Sequence, residues 1–136
     1  MNEDAVILIA EDNRGHFILT QHCLQNAGIA NETIWFTDGQ YILDFLFKKN
    51  PEFKFDSGRE YILLLDIRMP KVDGIKVLET IKHSGNGISN IPIIMISTSD
   101  NPAYIAHCNE LGCSGYVVKP LGGDFIEAVQ NACQCI

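Results

Sequence analysis

Five short apolar runs recur along the chain, at 5–10 (AVILIA), 33–37 (TIWFT), 61–65 (YILLL), 91–96 (IPIIMI) and 115–118 (GYVV). Each is followed by a stretch whose apolar residues come at helical spacing. The first run, almost without alternation, is what a strand buried on both faces requires, whereas a half-exposed strand would alternate. Phe17, Leu24 and Ala27 mark a helix over 14–27, which Gly28 is placed to end. Leu43, Phe45 and Leu46 mark a second over 40–49, after the Asp38-Gly39 turn signal. Val72, Ile75, Leu78 and Ile81 mark a third, Ile105, Cys108 and Leu111 a fourth over 103–111, and Phe125, Val129 and Ala132 a fifth. Parallel neighbours need crossovers, and here the crossovers are helical. The pattern predicts an α/β fold: a doubly wound, five-stranded parallel sheet with helices on both faces. The polar segment 50–60 exceeds the usual connection of about two to six residues and is a candidate functional surface. Residues 83–90 read as a second loop.

In such folds the loops after the strands' carboxyl ends share one crevice, where chemistry is placed. The residues that fall there are Glu11-Asp12, Asp66, Ser97-Thr98 and Lys119-Pro120. Singly, each has a plain structural reading: Asp12, Asp66 and Ser97 suit helix caps or turns, and Lys119 suits solvent. Together they are harder to dismiss. Carboxylates in one crevice repel by roughly 4 kcal/mol per pair at ~4 Å and an effective dielectric of ~20, so a cation must compensate. Lys119 supplies one charge, and hard oxygen ligands at a partly hydrated site suit Mg²⁺. A carboxylate placed like Asp66 can attack a phosphoryl group, with the Ser97 hydroxyl hydrogen-bonding a transferring oxygen.

The chain of 136 residues is expected to form a single domain over 1–136, with its core over about 4–132. Its 10 basic and 17 acidic residues leave a net charge of −7, which argues against direct nucleic-acid binding. The start, Met1-Asn2-Glu3-Asp4, is acidic where a signal peptide would be basic, and no apolar run approaches the ~18 residues of a membrane span. A cytoplasmic location without membrane insertion is expected. Five cysteines, at 23, 108, 113, 133 and 135, are read as reduced thiols, and His107-Cys108 with Cys113 lacks the paired spacing of a structural zinc module.

The four strand ends resemble the motifs of the receiver domain of two-component response regulators. ILIAEDN (7–13) is similar to its acidic-pair motif, LLLDIRMPKVDG (63–74) to its phosphoacceptor motif, IPIIMIST (91–98) to its hydroxyl strand and GYVVKP (115–120) to its lysine motif. The resemblance implies a flavodoxin-like sheet of order 2-1-3-4-5. It makes Asp66 the phosphoacceptor and gives the Mg²⁺ ion to Glu11, Asp12, Asp66 and the backbone carbonyl of Arg68, with Glu11 acting through water. By the same resemblance Ser97 is the switch hydroxyl, Thr98 the neighbour that is more often Ala, Lys119 the phosphoryl-binding cation before a cis Pro120, and Tyr116 the aromatic switch. Arg68 and Ser99 occupy positions where the family tunes dephosphorylation. Leu121 and Gly122-Gly123 depart from the aromatic residue commoner after Lys-Pro. The segment DGQYILDFLF (38–47), followed by the long 50–60 loop, resembles a subgroup of single-domain receivers found with phytochrome-like and related histidine kinases.

The implied activity is signalling rather than enzymatic turnover: self-catalysed phosphotransfer from a sensor histidine kinase or phosphotransfer protein to Asp66, autodephosphorylation, and a changed face for a downstream effector. A monomer or weak homodimer is expected. Two alternatives remain open from the residues, a non-phosphorylated pseudo-receiver used for interaction and an Asp-nucleophile phosphohydrolase. The second wants another acid two residues after the nucleophile, where this chain has Arg68. A flavodoxin-type carrier would need a phosphate-binding loop after the first strand, and Glu11-Asp12 would repel that phosphate.

Overall fold

The computed structural model describes residues 3–49, 55–56, 58–85 and 87–134. Most of the 50–60 segment, and Cys135, lie outside the described residues. The strands are β1 (Val6–Ala10), β2 (Thr33–Phe36), β3 (Tyr61–Asp66), β4 (Ile93–Ser97) and β5 (Gly115–Val118). They alternate with helices α1 (Arg14–Asn26), α2 (Gly39–Leu46), α3 (Gly74–Lys82), α4 (Pro102–Glu110) and α5 (Gly123–Gln134). All pairings are parallel and the sheet order is β2-β1-β3-β4-β5, the expected doubly wound arrangement.

The two-sided burial inferred from the solid apolar runs holds for the three central strands, whose residues are all buried. Alternate side chains go to opposite layers. Val6, Leu8, Leu63, Leu65, Ile93 and Met95 meet α2, α3 and Cys108 of α4 on one face. Ile7, Ile9, Ile62, Leu64, Ile94 and Ile96 meet Leu24 of α1 and Phe125, Val129 and Ala132 of α5 on the other. Burying a Leu or Ile side chain contributes about 1.5–3 kcal/mol, so the two layers dominate the fold's stability.

Several boundaries differ from the sequence reading, each for a local reason. The fourth strand starts at Ile93 rather than Ile91, because Pro92 has no N–H for the ladder; its carbonyl still accepts from Leu63 N–H at 2.9 Å. The third helix starts at Gly74, with Asp73 as its cap, although Val72 falls in the same apolar spacing. Val72 instead packs on the core from a turn in which Lys71 takes φ 67°. The second helix stops at Leu46, short of Lys49, where Lys48 adopts φ 63°. Gly28, at φ 77°, follows the end of α1 as anticipated, but Ala27 is exposed and not part of the buried stripe. The 83–90 loop contains a short 3₁₀ turn, Gly87–Asn90, anchored by buried Ile88.

The helix caps decide how the strand ends are used. Asn13, Asp38, Asp73 and Asn101 cap α1 to α4, accepting from His16, Tyr41, Lys76 and Ala103 N–H at 2.8 to 3.0 Å. Asp12, Asp66 and Ser97 are therefore not caps, although Asp66 and Ser97 do make side-chain turns, accepting from Arg68 and Ser99 N–H at 3.1 and 3.0 Å.

Candidate functional site

Strand register brings the polar ends together. Ala10 lies opposite Leu65, so Glu11 comes level with Asp66; Asp66 lies opposite Ile96, and Ser97 opposite Val118, so Ser97 and Lys119 follow one step on across the twisted sheet. Main-chain bonds continue past the strands, with Lys119 N–H donating to Ser97 O at 2.8 Å and Glu11 N–H to Phe36 O at 2.9 Å. The four groups thus stand on ordered backbone rather than on free loops.

Glu11, Asp66 and Ser97 are buried, an uncommon position for two carboxylates. Lys119 compensates them. Its Nζ donates to Glu11 Oε1 at 2.8 Å and Asp66 Oδ2 at 3.2 Å, and lies 2.9 Å from His16 Nδ1. The other carboxylate oxygens take main-chain donors: Asn13 N–H to Glu11 Oε2 at 3.2 Å, and Arg68 N–H to Asp66 Oδ1 at 3.1 Å. Burial pushes the Glu11 carboxyl up to about 7; Asp66 beside it adds to the rise, and Lys119 and the Asn13 N–H oppose it. Burial alone would lower Lys119, but its bond to Glu11 and the charges of Asp66 and Glu11 hold the ammonium above the usual lysine range.

Of the acidic pair, it is Glu11 that turns inward to the lysine, while Asp12 is exposed. Asp12 lines a cleft of ≈ 830 Å³ together with Arg68, Met69, Ser97, Ser99, Tyr104 and His107. Among the described residues, one oxygen each of Glu11 and Asp66 and one ring nitrogen of His16 lie within 4.8 Å of one another, Asp12 falls outside that group, and the two buried carboxylates share one ammonium. The negative charge that one ammonium leaves unbalanced fits a divalent cation. Ser97 Oγ accepts from Ser99 N–H at 3.0 Å, and Tyr116 donates its hydroxyl to Ser99 O at 2.9 Å, so Ser99 connects the two residues. The Lys119-Pro120 peptide is cis. Thr98 faces away from the cleft, lining a groove of ≈ 400 Å³ with His16, Leu19, Cys23, Lys119, Pro120 and Leu121.

Sequence reasoning missed His16, Trp35, Tyr104 and His107. His16 had a usable signal, being one helical turn after the acidic pair at the same edge of the sheet. Trp35 had none: it belongs to edge strand β2, and its indole N–H reaches Glu11 O at 2.6 Å. His107, considered only with Cys108, belongs to the cleft, while Cys108 is buried in the core and Cys113 donates to Asn109 Oδ1 at 3.4 Å.

This fold, with an acidic pair, a strand-end aspartate, a hydroxyl and a lysine meeting at the carboxyl edge of a parallel sheet, defines a receiver domain. Residues 7–130 match the response regulator receiver domain family, to which the chain belongs; receiver domains are signalling proteins of two-component systems, and as a family they bind Mg²⁺ or Mn²⁺ at the acidic site. Among curated relatives it is 35% identical to the probable methanogenesis regulatory protein FilR2 of Methanothrix harundinacea over 85% of this chain and 72% of that one. It is 33% identical to the response regulator Rcp1 of a Synechocystis strain, over 87% of this chain and 78% of that one.

Solved structures agree. The bacteriophytochrome response regulator RtBRR superposes with TM-score 0.82 at 31% identity, covering 94% of this chain and 77% of that one. The Mn²⁺-bound form of Rcp1 gives 0.75 at 29%, covering 93% and 90%, and the phosphorylated cyanobacterial phytochrome response regulator RcpA gives 0.74 at 28%, covering 96% and 90%. Phytochrome-associated regulators are thus among the neighbours, as the 38–47 segment suggested. Among the described residues, no helix is long and apolar enough to cross a membrane.

Proposed function

We propose that the chain, as one receiver unit over 1–136, is a cytoplasmic phosphoacceptor of a two-component or phosphorelay system. Asp66 takes a phosphoryl group from a phosphohistidine of a sensor kinase or phosphotransfer protein. A carboxylate oxygen of Asp66 forms the new bond to phosphorus as the bond to the donor imidazole breaks, and the imidazole leaves with the electron pair. The observation that carries the reading is the buried Asp66 carboxylate 3.2 Å from the Lys119 ammonium, at the edge where Ser97 also ends its strand. That the RcpA structure is of a phosphorylated protein adds support.

Asp12, Asp66 and the Arg68 carbonyl would hold Mg²⁺, with Glu11 acting through water, as the family resemblance implies. The Mn²⁺-bound Rcp1 supports a divalent ion here. When bound, the ion offsets charge on the transferring oxygens. Lys119 binds a phosphoryl oxygen, and Ser97 hydrogen-bonds another after releasing Ser99 N–H. Thr98 stands beside Ser97 on the outer side. Since Tyr116 holds the Ser99 carbonyl, displacement of Ser97 is passed to Tyr116 and to the α4–β5–α5 face, which binds an effector. The protein acts on its partner without nucleic-acid contact, as a monomer or weak dimer.

Incubation with Mg²⁺ and acetyl phosphate, read by intact mass, tests this. The wild type should gain one phosphoryl group and Asp66→Asn none. No gain by the wild type would leave an interaction module, and sustained hydrolysis of unrelated phosphate esters would make it a phosphohydrolase.

A further inference from the structure

We propose that Asp38, two residues past the end of β2, is a positioning residue for the loop that follows Asp66. Its carboxylate supports a strained turn at Lys71 and so fixes the place of Arg68 beside the phosphoacceptor. The inference rests on the reading of Asp66 as phosphoacceptor and of the Arg68 carbonyl as a ligand of Mg²⁺.

Between Asp66 and α3 the chain is tied down at both ends. Ile67 N–H donates to Ile96 O at 3.2 Å, Arg68 N–H to Asp66 Oδ1 at 3.1 Å, and Gly74 N–H to Ile67 O at 2.7 Å. The middle turns at Lys71. Val72 N–H donates to Pro70 O at 2.8 Å, across a lysine whose φ is 67°. A three-residue turn closed over a positive φ is the rare, strained form of the γ-turn. A residue with a Cβ keeps that conformation only where its surroundings impose it.

The start of α2 supplies those surroundings. Lys71 Nζ lies 3.5 Å from Asp38 Oδ2, while Asp38 Oδ1 accepts from Tyr41 N–H at 2.8 Å, so one carboxylate caps the helix and holds the turn. The Asp38 side chain is 14% exposed against 69% for Lys71, which makes the aspartate the anchored partner. Beside it, Gly39 meets the turn so closely that a Cβ there would overlap the Val72 carbonyl oxygen. Gly39 is not at positive φ, so this contact is what requires the glycine. If Lys71 left the strained φ, the change would have to be absorbed between Ile67 and Val72. Pro70 has a fixed φ and Met69 is buried in the core, which leaves Arg68 to take up much of it.

The test is the affinity for Mg²⁺, measured by calorimetry on wild type, Asp38→Asn, Lys71→Gly and the double variant. Asparagine caps a helix as well as aspartate does, so Asp38→Asn keeps α2 and removes only the charge. Glycine takes a positive φ without strain, so Lys71→Gly leaves a turn that needs no support. We expect Asp38→Asn to bind Mg²⁺ about two- to fivefold more weakly than wild type, the worth of one exposed ion pair. The same substitution should cost no affinity when position 71 is glycine. In metal-free protein the Arg68 amide resonance should shift with Asp38→Asn on the lysine background and stay in place on the glycine one. Equal losses on the two backgrounds would mean a plain charge effect on the ion or a weakened helix, and no loss on the lysine background would mean a turn that stands by itself. Either result overturns the inference while Asp66 is still phosphorylated by acetyl phosphate. A wild type that gains no phosphoryl group, or binds no Mg²⁺, fails in the phosphoacceptor reading itself and takes the inference with it.

Discussion

The indole N–H of Trp35 donates to the main-chain carbonyl of Glu11 at 2.6 Å, while its ring lies flat against Phe17, with centroids 4.4 Å apart and 4° between planes. An edge strand and the first helix thus grip the backbone between the two acidic residues. Trp35→Phe keeps an aromatic ring on Phe17 but removes the donor. We expect a loss of about 1 kcal/mol in urea unfolding, the net worth of one such bond, and weaker Mg²⁺ binding by calorimetry. Unchanged affinity for the ion would show that the grip is structural only.

Gly74 begins α3 against the strand end that carries Asp66. A Cβ there would lie 2.1 Å from the Asp66 carbonyl oxygen and 2.7 Å from Ile67 Cα. Alanine would normally gain about 1 kcal/mol over glycine inside a helix, but backbone atoms cannot yield as a flexible side chain can. Gly74→Ala should destabilise by about 1–3 kcal/mol, as overpacking does, and slow phosphorylation of Asp66 by acetyl phosphate. Thermal unfolding and intact-mass time courses measure the two effects.

The acid at position 11 makes stability depend on pH in metal-free protein. Burial raises the folded-state Glu11 to about 7 from an ordinary 4.5, so between those values the folded state binds more protons than the unfolded chain. Its contribution is full below pH 4.5 and is lost as pH rises through about 7. Stability should therefore fall across this window in chelator-treated wild type more than in Glu11→Gln, as read by urea midpoints. Equal slopes would refute it.

Cys108 lies fully buried under α4, and burial pushes its thiol up to about 11. Only the thiolate alkylates, so a rise of about two units lowers its reactive fraction roughly 100-fold near neutral pH, before any steric protection. Iodoacetamide at pH 8 should leave Cys108 unlabelled in native protein and label it in urea. Peptide mass mapping distinguishes these results.

The five apolar runs already determined the layer architecture, because a strand covered on both faces leaves no polar residue in its interior. Likewise Glu11, Asp66, Ser97 and Lys119 were legible as a set, since charged and polar residues that end buried strands share the same sheet edge whatever the loops do. Helix ends were less legible: Val72 continues the spacing of α3 but lies in a turn, and Pro92 reads as strand until its missing N–H is counted. Only register and caps in the folded chain could decide which member of the acidic pair turns inward. Asn13 takes the cap of α1, Glu11 then bonds Lys119, and Asp12 is left facing the cleft. Trp35 reaches the site from a strand 24 positions away from its partner Glu11. Contacts of that separation leave no local pattern in a sequence, because they arise from where two elements pack rather than from how either one folds.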